Sequence, residues 1–299
     1  MSATAPALDR RGVAATVGAF VIWGLFPLYW RMLHHVPALQ IIAHRVVWSA
    51  VLVVVWLLLR SGFGWLRAIA AQPRALATLA LTSVLISLNW GLYIWAVNNG
   101  HIVEASLGYF INPLVNVLLG VLVLRERLTR LQWIAVAMAA AGVAWLTWQA
   151  GQAPWIAIGL AISFGAYGLL RKLVQVDAVA GLGLESLYLF LPALALVAWG
   201  EAGHGGQFTG GWGLGTDLLL ILAGAVTAIP LVGFAYGVRR VPLSLVGLLQ
   251  YIAPTLQLLL GVLVFNEAFG QERVIGFALI WVALLVFIGD TLLRARLRR

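Results

Sequence analysis

The chain has 299 residues, of which 63% are hydrophobic and only 10% are charged. This composition lies far outside the range of soluble globular proteins and excludes a water-soluble core. A membrane span needs about 20 apolar residues, so the chain accommodates about ten spans and no separate catalytic domain. Because the sequence contains no cysteine, disulfides, thiol catalysis and thiolate metal sites are excluded as well.

The net charge of +9 raises the question of a nucleic-acid partner. The basic residues separate apolar runs instead of clustering on one solvated face, so we expect no nucleic acid and expect contacts with anionic lipid headgroups. No P-loop, nucleophile elbow or zinc-protease motif occurs in the sequence. We therefore expect no enzyme activity, no cofactor and no bound metal.

Ten apolar windows along the chain have the length of a membrane span. They cover residues 13–33, 38–59, 75–97, 102–124, 131–149, 155–172, 182–199, 216–238, 243–265 and 272–293. The runs are continuous and lack the alternation of a β-barrel strand. The sequence therefore predicts an all-α integral membrane protein with ten transmembrane helices.

The basic residues also predict the orientation of these helices. When the loops are assigned to alternate sides of the membrane, sixteen of the nineteen lysines and arginines fall on the side of both termini. Only Arg31 and Arg273 fall on the other side, and Arg45 lies inside a span. By the positive-inside rule, both termini are predicted to be cytoplasmic.

The two halves of the chain resemble each other. A shift of 141 residues aligns residues 113–126 with 254–267, with eight identities in fourteen positions that include a proline, a glycine and a glutamate. The same shift aligns Trp23 and Gly24 with Phe164 and Gly165 without a gap. Because each half holds five spans, an odd number, we predict two inverted-topology five-helix repeats, residues 12–150 and 152–293.

Two stretches, IIAHRVVWS around residue 44 and LGYFINPLVNVLLG at 107–120, carry a family resemblance. Together with the duplicated halves, they resemble the EamA-type members of the drug/metabolite transporter superfamily over residues 12–293. The resemblance implies a multi-pass permease of the bacterial inner membrane that moves small metabolites or drugs. Substrate, direction, coupling ion and oligomeric state stay open, a homo-oligomer included.

Arg45 is the clearest candidate for substrate binding. It lies about seven residues into the second span, or about 10 Å along a helix, where an ionisable group is costly and rare. A guanidinium there suits a substrate carboxylate or phosphate, with His44 and Trp48 as neighbours. The alternatives are a structural ion pair with Glu104 or an arginine that reaches the membrane surface.

The second half places an acid at the depth where the first half has a base. Under the 141-residue shift, His44 aligns with Glu185 and Arg45 with Ser186. An embedded carboxyl group can bind and release a proton during transport, so Glu185 is a candidate coupling residue. The alternative is an anion near the start of its helix, stabilised by the helix dipole.

The remaining candidates form polar stripes on apolar helices. Tyr109, Asn112 and Asn116 share one face of the fourth span, and Gln250 and Gln257 occupy the positions equivalent to Tyr109 and Asn116 in the ninth. The third span adds a further group, made up of Asn89, Trp90 and Tyr93. We expect these side chains to line a substrate site near the bilayer middle; the alternative is hydrogen bonding between packed helices.

These observations favour a secondary transporter that works by alternating access. We expect it to export amino acids, related metabolites or drugs. Exchange or a proton gradient would supply the driving force, because the sequence has no nucleotide-binding motif. The second hypothesis is a passive channel or pore, which requires a continuous polar path. An intramembrane enzyme or a lipid scramblase ranks third.

Overall fold

The computed structural model describes residues 9–99, 101–150, 155–264 and 271–297, and these ranges contain twelve helices and no strand. In chain order the helices are α1 (Arg10–Met32), α2 (Ala38–Ser61), α3 (Gly64–Ala70), α4 (Pro73–Asn98), α5 (Ile102–Leu122), α6 (Arg130–Ala150), α7 (Trp155–Leu173), α8 (Ala178–Glu201), α9 (Leu214–Val238), α10 (Leu243–Leu249), α11 (Ile252–Leu263) and α12 (Gln271–Leu297).

Every predicted span is occupied by helix. Within the described ranges, nine helical segments are long and apolar enough to cross a membrane, with α10 and α11 counted as one span from Leu243 to Leu263. α5 provides the tenth, and its described apolar part, Leu107–Leu122, is shorter. The prediction of an all-α membrane protein with about ten transmembrane helices is confirmed. We call the side on which α1 begins and α12 ends the basic face, and the other side the opposite face.

Two local features differ from the predicted spans. α3 is a short extra helix after Gly62, whose positive φ of 54° ends α2, and α3 buries Trp65 and Ile69 on one side. The ninth span is interrupted at Gln250 and Tyr251 because Pro254 lacks an N–H group and its ring disfavours a regular turn there. Pro113, at the equivalent position, leaves α5 continuous.

Most contacts between helices join the two predicted halves. α6 packs on α12, α2 on α8, and α5 on α10. The contact of α1 with α9 has its counterpart in that of α7 with α4, and the contact of α1 with α11 in that of α7 with α5. Two structurally equivalent halves would produce such a reciprocal pattern of helix contacts. The inverted repeat and its bounds, 12–150 and 152–293, stay predictions.

Glycines allow two of these contacts to be close. A Cβ atom built on Gly24 would lie 2.7 Å from Leu256 Cβ, and one built on Gly165 would lie 2.8 Å from Val115 Cγ1. Leu256 and Val115 are themselves 141 residues apart. A larger residue at either glycine would force α1 from α11, or α7 from α5, and these helices surround the cavity described next.

Candidate functional site

A cavity of about 270 Å³ lies at the centre of the bundle. Its wall is built by α1, α2, α4, α5, α7, α9 and the α10–α11 span, so both halves contribute to it. Eight of the twelve sequence-predicted site residues line it: Arg45, Asn89, Trp90, Tyr93, Tyr109, Asn112, Gln250 and Gln257. The cavity extends as far as Trp30, two residues before α1 ends on the opposite face.

Arg45 provides the charge of this cavity. Its Nε donates a hydrogen bond to Thr227 Oγ1 on α9 (3.0 Å), and its guanidinium carbon lies 4.7 Å from the ring centroid of Trp90 and 5.3 Å from that of Trp30. The two terminal nitrogens donate to no described residue and stay accessible from the cavity. No described carboxylate lies within 4.0 Å of them. The side chain of Glu104 is outside the described residues.

The carboxamides are held by bonds between helices. Asn89 Nδ2 donates to Leu160 O and Ser163 Oγ, both at 2.9 Å, and Gln257 Nε2 donates to Trp23 O at 3.2 Å. These bonds hold α4 against α7 and α11 against α1. They also leave the two amide oxygens as acceptors that are accessible and unpaired among the described residues.

Four predicted site residues lie outside the cavity wall: His44, Trp48, Asn116 and, in a separate site described below, Glu185. The ring of His44 packs 4.6 Å from that of Phe208, and Trp48 Nε1 donates to His44 Nδ1 at 3.3 Å. Asn116 is fully buried, and its Nδ2 donates to Gln250 Oε1 at 2.8 Å. His44 and Trp48 therefore serve the packing of α2 against the α8–α9 connection, and Asn116 joins α5 to the interrupted span.

Five aromatic rings form the floor of the cavity on the basic side: Phe20, Trp23, Phe164, Tyr167 and Phe234. Phe234 is central to this aromatic floor, with its centroid 5.3 to 6.2 Å from each of the other four. Trp23 and Phe164, which the 141-residue shift makes equivalent, meet edge to face at 5.8 Å. Because Phe234 and Tyr167 are almost completely buried, the floor separates the cavity from the basic face.

Polar contacts close the basic face beneath the aromatic floor. Glu126 accepts hydrogen bonds from the Leu243 and Ser244 backbone N–H groups, at 2.6 and 2.9 Å, and from Ser244 Oγ at 2.7 Å. Lys172 Nζ donates to the backbone carbonyls of Val238 and Val241, at 2.7 and 2.5 Å. The first set joins the predicted halves to each other and caps the start of α10.

Glu185 lies in a second buried site, between α8, α4 and α7. Its Oε1 accepts a hydrogen bond from Thr82 Oγ1 (2.6 Å) and lies 3.6 Å from Arg171 Nη1, and Tyr167 Oη lies 3.4 Å from Oε2. α8 begins at Ala178, seven residues earlier, and its N-cap is Asp177. Glu185 is therefore a buried acid, and it lies beyond the first turn of α8, where the helix dipole would stabilise an anion.

Arg171 was not recognised from the sequence as a site residue. Arg171 is one of the sixteen basic residues counted on the side of both termini, but its side chain is fully buried and donates from Nη2 to Ala178 O at 2.9 Å. A Cβ built on Gly181 would lie 2.0 Å from Arg171 Nη1. A glycine one turn before a membrane-embedded glutamate is the only signal that the sequence offers for this partner.

A small cavity of about 20 Å³ has walls that belong to both sites. Glu185, Tyr167 and Ser186 line it, and so does Thr227, which also accepts the hydrogen bond from Arg45. Trp90 belongs to the walls of both cavities. The volume suffices for about one water molecule, which needs roughly 10 to 15 Å³ measured in this way.

A bundle of apolar, membrane-length helices around a central cavity with a single described charge is typical of one class, the multi-pass membrane transporters. The EamA-like transporter family model matches residues 10–148 and again 153–289. The chain therefore belongs to the EamA-like transporter family of the drug/metabolite transporter superfamily, which confirms the resemblance seen in the sequence.

Individual relatives agree with this family assignment. The chain is 50% identical to "Protein RarD" of Streptomyces exfoliatus over 292 residues, covering 97% of this chain and 92% of the relative. It is 49% identical to "Uncharacterized transporter YojE" of Bacillus subtilis, covering 93% of each. A solved crystal structure with 20% sequence identity has the same fold, with a TM-score of 0.71 over 92% of this chain and 96% of that one. The protein is thus a RarD-like membrane transporter.

Proposed function

We propose that the protein is a secondary transporter that exports small metabolites or drugs, such as amino acids or their derivatives, across the bacterial inner membrane by alternating access. Both termini would be cytoplasmic, which makes the basic face the inner side. The observation that carries the proposal is a central cavity that contains Arg45, which has no carboxylate partner among the described residues; the cavity is lined by both halves and closed on the basic side by the aromatic floor.

The contacts at the two ends of the cavity suggest how access would change. Closure of the basic face rests on the aromatic floor and on the bonds from Glu126 and Lys172. If one half rocks against the other, the bonds that Glu126 accepts break and the cavity closes toward the opposite face, whereas the Lys172 bonds lie within the second half and move with it. Glu126 and Ser244 belong to different halves, so their bond has to break in such a movement.

Glu185 is proposed as the coupling residue. An embedded carboxyl group paired with Arg171 changes the charge of its site when it binds a proton. The path to the substrate site is short, because Thr227 contacts Arg45 and shares the small cavity with Glu185. One water molecule in this cavity would connect the Thr227 hydroxyl to the Glu185 site, so that protonation and substrate occupancy influence each other.

The proposal is tested by counterflow in proteoliposomes that contain the purified protein. Amino acids, their N-acetyl derivatives and chloramphenicol are loaded at high concentration inside, and uptake of the same labelled compound from outside is measured. We expect at least one compound to enter with saturable kinetics and to be accelerated by internal substrate, and protein-free liposomes to show neither property. Uptake that rises linearly with concentration and ignores the internal solute would instead indicate a passive pore.

A further inference from the structure

The chemistry of the cavity wall specifies the charge of the molecule that it binds. Arg45 is the only charged residue among the described residues that line the cavity, and its two terminal nitrogens are open to it. The rings of Trp30 and Trp90 both contact the guanidinium and restrict its orientation. A carboxylate that approaches along the edge of the guanidinium plane can accept two parallel hydrogen bonds and neutralises the charge.

Among the described wall residues, a positively charged group on the same molecule would have no equivalent partner. No aspartate or glutamate is found among the described wall residues, and the acceptors there are neutral: they include the amide oxygens of Asn89 and Gln257 and the hydroxyl oxygens of Tyr93 and Tyr109. Moving an ammonium group out of water without a carboxylate partner is costly, whereas a neutral N–H group needs only one acceptor of this kind. A zwitterion is therefore a poorer fit than a simple anion.

The rest of the wall fits an apolar and planar body. Phe20, Trp23, Phe26 and Phe164 add their rings to those of the two tryptophans at Arg45. Aromatic side chains bind rings in offset or edge-to-face arrangements. A volume of about 270 Å³ is just below the lower limit of roughly 300 Å³ for sites that hold drug-sized ligands, which favours a small metabolite.

We infer that the cavity recognises a monocarboxylate of net charge −1 with an aromatic or other apolar body and one neutral hydrogen-bond donor, as in an N-acylated aromatic amino acid. The inference rests on the proposed function, because it names the substrate class of the same site. The carboxylate binds Arg45, the amide N–H donates to a free amide oxygen of Asn89 or Gln257, and the ring lies against the aromatic wall.

Four compounds with the same phenyl body test the inference. N-acetylphenylalanine carries one negative charge, N-acetylphenylalanine amide replaces its carboxylate by a neutral group of the same shape, phenylalanine is a zwitterion, and phenylalanine amide is a cation. Each is added to the purified full-length protein, and affinity is obtained from the concentration dependence of the thermal unfolding midpoint, since a ligand that binds only the folded state raises it.

We expect N-acetylphenylalanine to bind roughly tenfold to a hundredfold more tightly than its amide, because a charge-assisted bond is lost. Phenylalanine should bind more weakly than N-acetylphenylalanine, and the cation should bind most weakly of all. In Arg45→Gln, the difference between N-acetylphenylalanine and its amide should disappear. Equal affinity for all four compounds, tightest binding of phenylalanine, or no binding of any compound would overturn the inferred substrate class.

The same compounds in counterflow separate this inference from the proposed function. Saturable exchange of all four without a charge preference would leave the transporter intact and contradict only the substrate class. Tight binding of N-acetylphenylalanine without saturable exchange would contradict transport while supporting the anion site.

Discussion

Arg45→Gln reduces saturable counterflow of N-acetylphenylalanine by roughly tenfold to a hundredfold, because the substrate carboxylate loses its charge-assisted hydrogen bonds. The substituted side chain keeps a polar group near Thr227, so the bundle should still fold. Arg45→Lys should retain part of the activity, since an ammonium keeps the charge but loses the bidentate geometry and the guanidinium contacts with the two tryptophan rings. The measurement is the initial rate of counterflow across a range of external concentrations.

The matched control for this prediction is Arg60→Gln. Arg60 lies on the same helix and stacks on Trp56 at 5.5 Å, but it lies outside the cavity wall. Its substitution should leave counterflow within twofold of wild type. Equal losses in both variants would mean that α2 is sensitive to any loss of an arginine, and unchanged transport in Arg45→Gln would remove Arg45 from substrate binding.

Glu185→Gln abolishes the response of transport to a pH gradient while exchange at equal pH continues. If the wild-type protein carries one proton with each substrate molecule, a gradient of one pH unit supplies about 1.4 kcal/mol. This energy can change the steady-state accumulation of N-acetylphenylalanine up to about tenfold. Glutamine can accept the hydrogen bond from Thr82 but cannot bind and release the proton. Accumulation is measured with and without the gradient, and protein-free liposomes correct for passive entry of the neutral acid.

Glu201→Gln is the matched control substitution for this experiment. Glu201 ends the same helix, is exposed, and accepts a hydrogen bond from Phe208 N at 2.9 Å. Its substitution should leave the pH response intact. If Glu185→Gln still accumulates substrate in response to the gradient, the coupling role belongs to another residue or transport is not proton-coupled.

The spans could be predicted because a bilayer requires about 20 apolar residues in every crossing. The interruption at Gln250 could not be predicted with the same certainty. Pro113 and Pro254 occupy equivalent positions, yet only the second interrupts its helix. Whether a proline breaks a helix depends on the neighbours that satisfy the freed backbone groups, and these neighbours are set by packing.

The site was predictable where polarity alone identifies a residue, as for Arg45 and the amide stripe. The site was not predictable where the direction of a side chain decides whether it reaches the cavity. Arg45 and His44 are adjacent in sequence, but successive helix residues point about 100° apart, so one faces the cavity and the other faces Phe208. The partners of Arg45 and Glu185 were missed for a similar reason, because Thr227 and Arg171 come from other helices.

Alternating access itself is tested most directly with single cysteines, since the natural chain contains none. Val238→Cys replaces a fully buried residue one turn from Phe234, on the basic side of the aromatic floor, and Phe26→Cys lies in the cavity wall. Membrane-impermeant maleimide is applied from each face, with and without saturating N-acetylphenylalanine. We predict that substrate changes the two labelling rates in opposite directions, each by several-fold. Simultaneous access to both positions from both faces, unaffected by substrate, would contradict alternating access and establish a pore.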